Sequence, residues 1–448
     1  MNVLRRGACP SLVDPMLTGD GLLARIHPLG GIAPAAFARL CESAQRHGNG
    51  VLEITQRGNI QARGLTPASA ILFAEDIAAL GIARAESVPI TTNPLTGLDP
   101  TELIDGNALI GALHRALEQT ELTDALDAKV SVAIDNGGAL HLDALTADIR
   151  LRAARHSAGL LWHLAVAGTA AESASLGGVA PEQAADAVMA LLRVIATHGP
   201  GARARDVLLT GGAEIFRSAI RKYLLDAPAP AGRTAPDPIG PHPISGDRFA
   251  LGLGLGFQGD ARALSELSLA AAESGAGEMR AAPGRTLFVV GLHRPAAGIF
   301  LSRAQRLGFI TRPDDPRSRI AACAGAPQCR SGEIAARPLA AVLAERASAL
   351  FDGTLDLHIS GCPKGCAQAG RAALTIVGTP GRCGIIIDGS PQGLPIVEMS
   401  VPSLPAAFDR LAREVQSARR PGERSSDVLA RWGHARVGAV LAGELVGA

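Results

Sequence analysis

The sequence predicts an α+β protein built by internal duplication, with two open half-repeats related by a pseudo-twofold axis and a larger α/β domain after each. Three observations carry that expectation. A strand–helix–strand–turn–strand–helix order of about 60 residues occurs at 21–81 and again at 248–308. A proline- and alanine-rich stretch, 227–243, lies between the two halves and reads as a linker. Four cysteines in two close pairs, Cys323 with Cys329 and Cys362 with Cys366, stand together in the last part of the chain.

In the first half-repeat, 22–26 is an apolar run that reads as a strand. Pro34 opens a helix whose inward face is Phe37, Leu40, Cys41 and Ala44, and Gly48 closes it. Val51, Leu52 and Ile54 form the next strand, 56–59 (Gln-Arg-Gly-Asn) a turn, and 60–63 the return. Thr66 caps a helix with Pro67 in its first turn, ended by Gly81. In the second copy 249–255 is the strand, 261–273 the helix, 278–282 the next strand, 283–285 (Pro-Gly-Arg) the turn and 286–290 the return. A helix at 295–307 ends at Gly308. Even the exits correspond, Gln61-Ala-Arg-Gly-Leu65 against Phe288-Val-Val-Gly-Leu292.

This order divides the chain into a half-repeat at 1–85, an α/β domain at 86–226, the linker 227–243, a second half-repeat at 244–310 and a cysteine-bearing α/β domain at 311–448. Each half-repeat is expected to hide its sheet face against the other, with a ligand where they meet. Near the end, 403–418 reads as a helix with Leu404, Phe408, Leu411 and Val415 on one stripe, and 421–427 as a polar, mobile segment.

The chain has 448 residues, enough for several domains. A net charge of +1 gives no polyanion-binding surface, and 3 % aromatic content gives no stacking platform for single strands, so no nucleic-acid partner is expected. Nothing reads as a signal peptide or as a membrane-spanning run; residues 160–171 are apolar but short and interrupted by His163. Seven cysteines with four at one site suit a reducing cytoplasm, leaving Cys9, Cys41 and Cys383 as ordinary small residues.

The quartet reads C-A-G-A-P-Q-C and C-P-K-G-C, with Gly325, Ala326 and Gly365 between the partners to let the backbone turn tightly. Four soft thiolates are the ligand set of an iron–sulfur cluster, and a [4Fe–4S] group on all four is the reading adopted. A zinc site prefers two C-x₂-C pairs, unlike the gaps of five and three found here; disulfides are the remaining alternative.

Gly254-Leu-Gly-Phe-Gln-Gly259 spells G-x-G-x-x-G between a strand and a helix, with Glu278 placed where a ribose-binding acid would fall. The first copy lacks that pattern, and its following strand leads into a tight return. A glycine-rich strand passing close to a bulky ligand is therefore expected in place of a dinucleotide site.

With these motifs in place, the chain resembles the sulfite/nitrite reductase superfamily: ferredoxin-like half-repeats, each followed by an α/β domain, with the cysteines in the last. Within it, Arg6-Gly-Ala-Cys9-Pro-Ser-Leu12, the following Pro15-Met16 and Thr18-Gly-Asp-Gly-Leu-Leu23, and Leu52-Glu-Ile-Thr-Gln-Arg-Gly-Asn-Ile-Gln61 are similar to the precorrin-3B synthase family. That resemblance implies a [4Fe–4S] cluster on Cys323, Cys329, Cys362 and Cys366, with Cys366 in the position that bridges to sirohaem in the reductases. It further implies a second iron centre, non-haem in the synthases, and an external electron donor such as NADH. The implied reaction is attack of dioxygen on the tetrapyrrole precorrin-3A, with C20 hydroxylation and γ-lactone closure.

Reductases of this superfamily surround their anion with two arginines and two lysines. Arg57 lies near the first arginine position, Ser87-Val-Pro-Ile-Thr-Thr-Asn-Pro94 offers none for the second, and Lys129-Val-Ser131 keeps one lysine of a K-x-K pair. Arg57 and Lys129 are thus the catalytic candidates, although a turn arginine and a strand-end lysine are equally ordinary surface residues. A half-emptied cationic box favours the monooxygenase. A sirohaem-dependent reductase and an iron–sulfur electron carrier remain the alternatives. Arg57, Arg63, Arg150 and Arg152 are candidates for substrate carboxylates. His27, His47, His141, His156, His163 and His358 are iron-ligand candidates by residue type alone.

Overall fold

The computed structural model of the chain describes residues 10–84, 87–157, 159–244, 246–368 and 370–444. Cys9 and the Arg6-Gly-Ala start of the opening motif lie outside the described residues.

The duplication is literal. The first half-repeat is an antiparallel sheet with spatial order Met16–Thr18, Gly21–Ile26, Ile60–Leu65, Leu52–Ile54, and the second repeats it as Gly240–Pro243, Arg248–Gly254, Thr286–His293, Glu278–Ala282. Local chemistry sets the helices. Pro34 begins Pro34–His47, Thr66 and Ser69 form a reciprocal cap on Pro67–Ala79, and Asp260 accepts from the N–H groups of Arg262 and Ala263 at the start of Ala261–Glu273. Apolar faces of the helices and sheets in both copies merge into one core, with Phe37, Leu40, Phe73, Leu264, Leu267 and Phe300 essentially inaccessible.

The copies are also stitched backbone to backbone. Ile32 and Met279 exchange N–H···O bonds of 2.9 and 2.8 Å, and the Gly284 N–H donates to the Gln56 carbonyl at 3.1 Å. Leu52 N–H donates to the Gly259 carbonyl at 3.2 Å, so close that a Cβ on Gly259 would overlap the Leu52 carbonyl oxygen. The glycine-rich strand was expected beside a bulky ligand. Its glycines instead face the Pro238 carbonyl (Gly252) and Ile310 (Gly254) within an antiparallel sheet with no Rossmann crossover, and only the turn after the strand, at Gly259, meets the backbone of the other copy.

Both α/β domains carry a five-stranded sheet of one pattern. Ile90–Thr92, Val132–Asp135 and Ala147–His156 are parallel neighbours, and Gly159–Gly168 and Ala174–Val179 continue antiparallel. Ile320–Ala322, Leu357–Ser360, Ala372–Thr379, Arg382–Gly389 and Val397–Met399 repeat that sequence of directions. Helices such as Ala184–Ala196 and Leu404–Ala418 cover these sheets with apolar stripes.

Two expectations change. Gly240–Pro243, taken as the end of the linker, is the edge strand of the second half-repeat. The polar segment 421–427 is tied down, not mobile. Helix Ser425–Ala442 starts within it, Asp352 accepts from the Ser425 N–H at 2.8 Å and from Arg419 at 2.7 Å, and Arg431 holds Glu423 at 2.7 Å.

Candidate active site

Cys323 directly follows strand Ile320–Ala322, and Cys362 follows Leu357–Ser360 after one residue. Those strands are parallel neighbours, so their C-terminal ends deliver both cysteine loops to one place. Gly325 and Gly365 have φ of +65° and +64°, where side chains are strained, and a Cβ on Gly325 would lie 2.5 Å from the Ile334 carbonyl oxygen. Gly361 N–H points at Cys323 Sγ, 3.0 Å away. All four thiols are free of disulfides and line one cavity of about 920 Å³. Burial pushes the Cys366 thiol pKa up, and the proximity of Cys323, Cys362 and Cys329 pushes it further. Four clustered thiols on tight glycine turns form a soft donor set that fits an iron–sulfur cluster.

The rest of that cavity wall is cationic. The first half-repeat contributes Arg25, Arg57 and Arg63, the second contributes Arg285, and the cysteine domain contributes Arg330, Arg337 and Lys364. Among the described lining residues Glu53 is the single carboxylate, and it is held by Arg337, with Arg63 Nε at 3.9 Å. Arg63 is anchored by Asp20 through bonds of 3.0 and 2.8 Å and donates to the Gln328 carbonyl at 2.9 Å. Burial pushes the Asp20 pKa up, but the Arg63 and Thr18 hydrogen bonds outweigh it and hold the carboxyl below its usual range. With its amide oxygen turned toward Arg25, Gln61 accepts from Arg25 Nε at 2.8 Å. Arg285 Nη2 donates to the Ala367 carbonyl at 2.7 Å, and burial lowers its pKa.

A second cavity of about 670 Å³ shares Arg25, Arg57 and Asn59 with the first and is also lined by His27 and Lys129. Burial, reinforced by Arg25, lowers the His27 pKa to about 4, leaving a neutral ring at physiological pH.

The structure thus places Arg57 at the junction of both cavities and Lys129, an exposed residue, on the smaller one alone. Arg150 and Arg152 are not on either wall. Arg150 donates to the carbonyls of Leu142 and Leu145, and Arg152 to that of Ala231. Of the six histidine candidates only His27 lines either of these two cavities. His47 pairs with Asp76, His163 with Ser175, and His141 with the Thr234 carbonyl; His156 sits at the end of the long strand Ala147–His156. His358 is fully buried with both ring nitrogens unpartnered. Sequence reasoning missed Arg25, Glu53, Arg285 and Arg337 as wall residues, since contacts such as Arg337 with Glu53 and Arg285 with the Ala367 carbonyl join segments far apart in the chain and leave no local pattern.

Among the described residues, the one group of His, Cys, Asp and Glu atoms close enough to share a metal ion is Asp135, His141 and Asp143. Arg233 already fills it, donating to both carboxylates. The loops after Thr92 and Asp135 are the duplicated counterparts of the two cysteine loops, and Asn93, Asp135 and Asn136 stand there in a buried amide–carboxylate network.

A precorrin-3B synthase from Sinorhizobium sp. is 39 % identical to this chain over 441 residues, covering 98 % of it and 95 % of the relative. The chain belongs to the precorrin-3B synthase family. The family described as nitrite/sulfite reductase ferredoxin-like half domain matches residues 14–80, and the nitrite and sulphite reductase 4Fe-4S domain matches 85–226. The latter stretch contains no cysteine, so in this synthase-family chain the thiols sit in the structural repeat of the matched domain, beyond residue 311. A ferredoxin–nitrite reductase of Synechococcus elongatus is 25 % identical, over 82 % of this chain and 78 % of that one. The Mycobacterium tuberculosis NirA structure superposes with a TM-score of 0.80 at 19 % identity, covering 93 % of this chain and 84 % of that one, which establishes the shared fold. No helix among the described residues is long and apolar enough to cross a membrane.

Proposed function

We propose that this member of the precorrin-3B synthase family is an oxygen-dependent monooxygenase of aerobic cobalamin biosynthesis, converting precorrin-3A to precorrin-3B. The observation that carries the reading is that all four cysteines open into a roomy cavity walled by six arginines and Lys364 against a single acid. Such walls suit a flat macrocycle fringed with carboxylates, because guanidinium groups bind carboxylates in pairs of parallel hydrogen bonds.

In this reading Cys323, Cys329, Cys362 and Cys366 would hold a [4Fe–4S] cluster, which would supply single electrons from an external donor such as NADH, and a second, non-haem iron would supply the dioxygen chemistry. Arg25 and Arg57, at the junction of the lobes, orient the macrocycle's acid side chains, while Arg63 and Arg337 are braced by Asp20 and Glu53. His27, neutral in the smaller lobe, can accept and return a proton beside the substrate. One oxygen atom enters the product as the C20 hydroxyl while the ring A acetate closes the lactone. The other leaves as water with two electrons and two protons.

The test is turnover of precorrin-3A with ¹⁸O-labelled dioxygen. A product heavier by one labelled oxygen is expected; unchanged precorrin-3A together with turnover of sulfite or nitrite would overturn the assignment. The alternative, a sirohaem-dependent reductase, is favoured by Arg57 and Lys129 lining the same small cavity. A strong Soret-like band in the purified protein would select it.

A further inference from the structure

We infer that Arg285 is the built-in counter-cation of the four-cysteine site and sets how readily that site accepts an electron. The inference rests on reading the four cysteines as cluster ligands.

Three features single this guanidinium out from the other cations of the cavity wall. It is delivered from outside the cysteine domain, on the Pro283-Gly-Arg turn of the second half-repeat, in the left-handed conformation with φ of +59° that only a few non-glycine residues adopt. It is tied to the cysteine loop itself, donating to the carbonyl of Ala367, the residue next to Cys366, at 2.7 Å. Among the described residues it also has no carboxylate within ion-pairing distance, whereas Arg63 is taken by Asp20 and Arg337 by Glu53; Arg330 and Lys364, with no carboxylate partner either, are exposed to solvent while Arg285 is half-buried.

A partly desolvated charge with its nearest acid, Glu53, already held by Arg337 is costly, and proteins keep one where an opposite charge arrives. Here the opposite charge is the thiolate-ligated cluster. Adding one electron from a reductant makes it more negative by one unit, and no proton need follow if the neighbouring titratable group stays neutral. His358 meets that condition, since burial, reinforced by the Arg285 charge, lowers its pKa to about 4. It lies on the strand leading into Cys362, is fully buried, and has no hydrogen-bond partner on either ring nitrogen. A fixed positive charge beside a site that gains negative charge stabilises the reduced form over the oxidised one.

The test uses the full-length protein reconstituted anaerobically with iron and sulfide, with the midpoint potential read by dye-mediated titration under electron paramagnetic resonance. Arg285→Lys keeps the charge, and Arg285→Gln keeps an N–H donor for the Ala367 carbonyl without it. The Gln variant is expected to shift to a more negative potential while the Lys variant stays near the wild type. Should Gln fail to retain iron and sulfide while Lys retains them, the requirement for charge stands. A Gln variant with the wild-type potential, or Lys and Gln shifted alike or both unable to load, would overturn the role. Absence of a cluster from the wild-type protein would instead sink the cluster reading itself, which keeps the two failures apart.

Discussion

Arg63 Nη2 reaches from the first half-repeat to the backbone carbonyl of Gln328, 2.9 Å away and one residue before Cys329. The same nitrogen is fixed by Asp20 at 2.8 Å. Side-chain exposures of 6 % and 14 % make this a largely buried pair, and without Asp20 the guanidinium keeps only the Glu53 carboxylate, 3.9 Å away, at a cost of about 1–3 kcal/mol. Asp20→Asn should therefore lower the urea midpoint and, if the proposed cluster is bound, also weaken iron retention, because the loop that Arg63 steadies carries Cys329. Unchanged iron content in a destabilised protein would show that the tether is merely structural.

Each of the four cysteines is expected to be required singly. Replacement of Cys323, Cys329, Cys362 or Cys366 by serine should abolish the broad visible absorption of the reconstituted protein. Cys41→Ser and Cys383→Ser, in the apolar cores, should leave it intact. The comparison is made from iron and sulfide content per chain.

Arg57 and Lys129 should separate. Arg57 borders both lobes, and a charge-assisted bond there is worth about 1.5–3 kcal/mol, or about tenfold to a hundredfold in kcat/KM. Arg57→Met is expected to show that loss with precorrin-3A, mainly in KM. Lys129→Met should fall within about threefold, since an exposed charge contributes little. Equal losses would favour the reductase-like anion site.

Stability should decline on mild acidification. His27, His163 and His358 are each held to about 4 by burial, with a nearby arginine adding to the effect. Their unfolded value is 6.5, so between these limits the unfolded chain binds more protons. The stability they contribute is whole above pH 6.5 and is lost as pH falls toward 4. Urea midpoints measured down this range should drop, and His358→Leu, which removes two unpartnered nitrogens, should flatten the slope. An unaltered slope would count against His358 as a contributor.

Much of this architecture was legible because its signals are local. Pro34, Thr66 and Asp260 mark helix starts at their own positions, and the spacing of Cys323 to Cys366 announces the one cavity that all four thiols line. What escaped depends on distance along the chain. The edge strands Met16–Thr18 and Gly240–Pro243 are short, and the second carries two prolines, so only their sheet neighbours define them. Arg337 meets Glu53 across 284 positions, and no pattern in either segment names the other. Arg150 and Arg152 look identical to Arg57 in sequence, yet backbone carbonyls occupy them.

Division of the chamber between the two copies has a consequence for how the chain can be taken apart. Arg63 belongs to the first copy, Arg285 to the second, and the thiols to the domain that follows, while the helices of both copies share one core. A chain severed near residue 235 would yield two fragments, each with raw apolar surface and half a pocket. Catalytic competence would return only through complementation, when the two pieces find each other and reassemble.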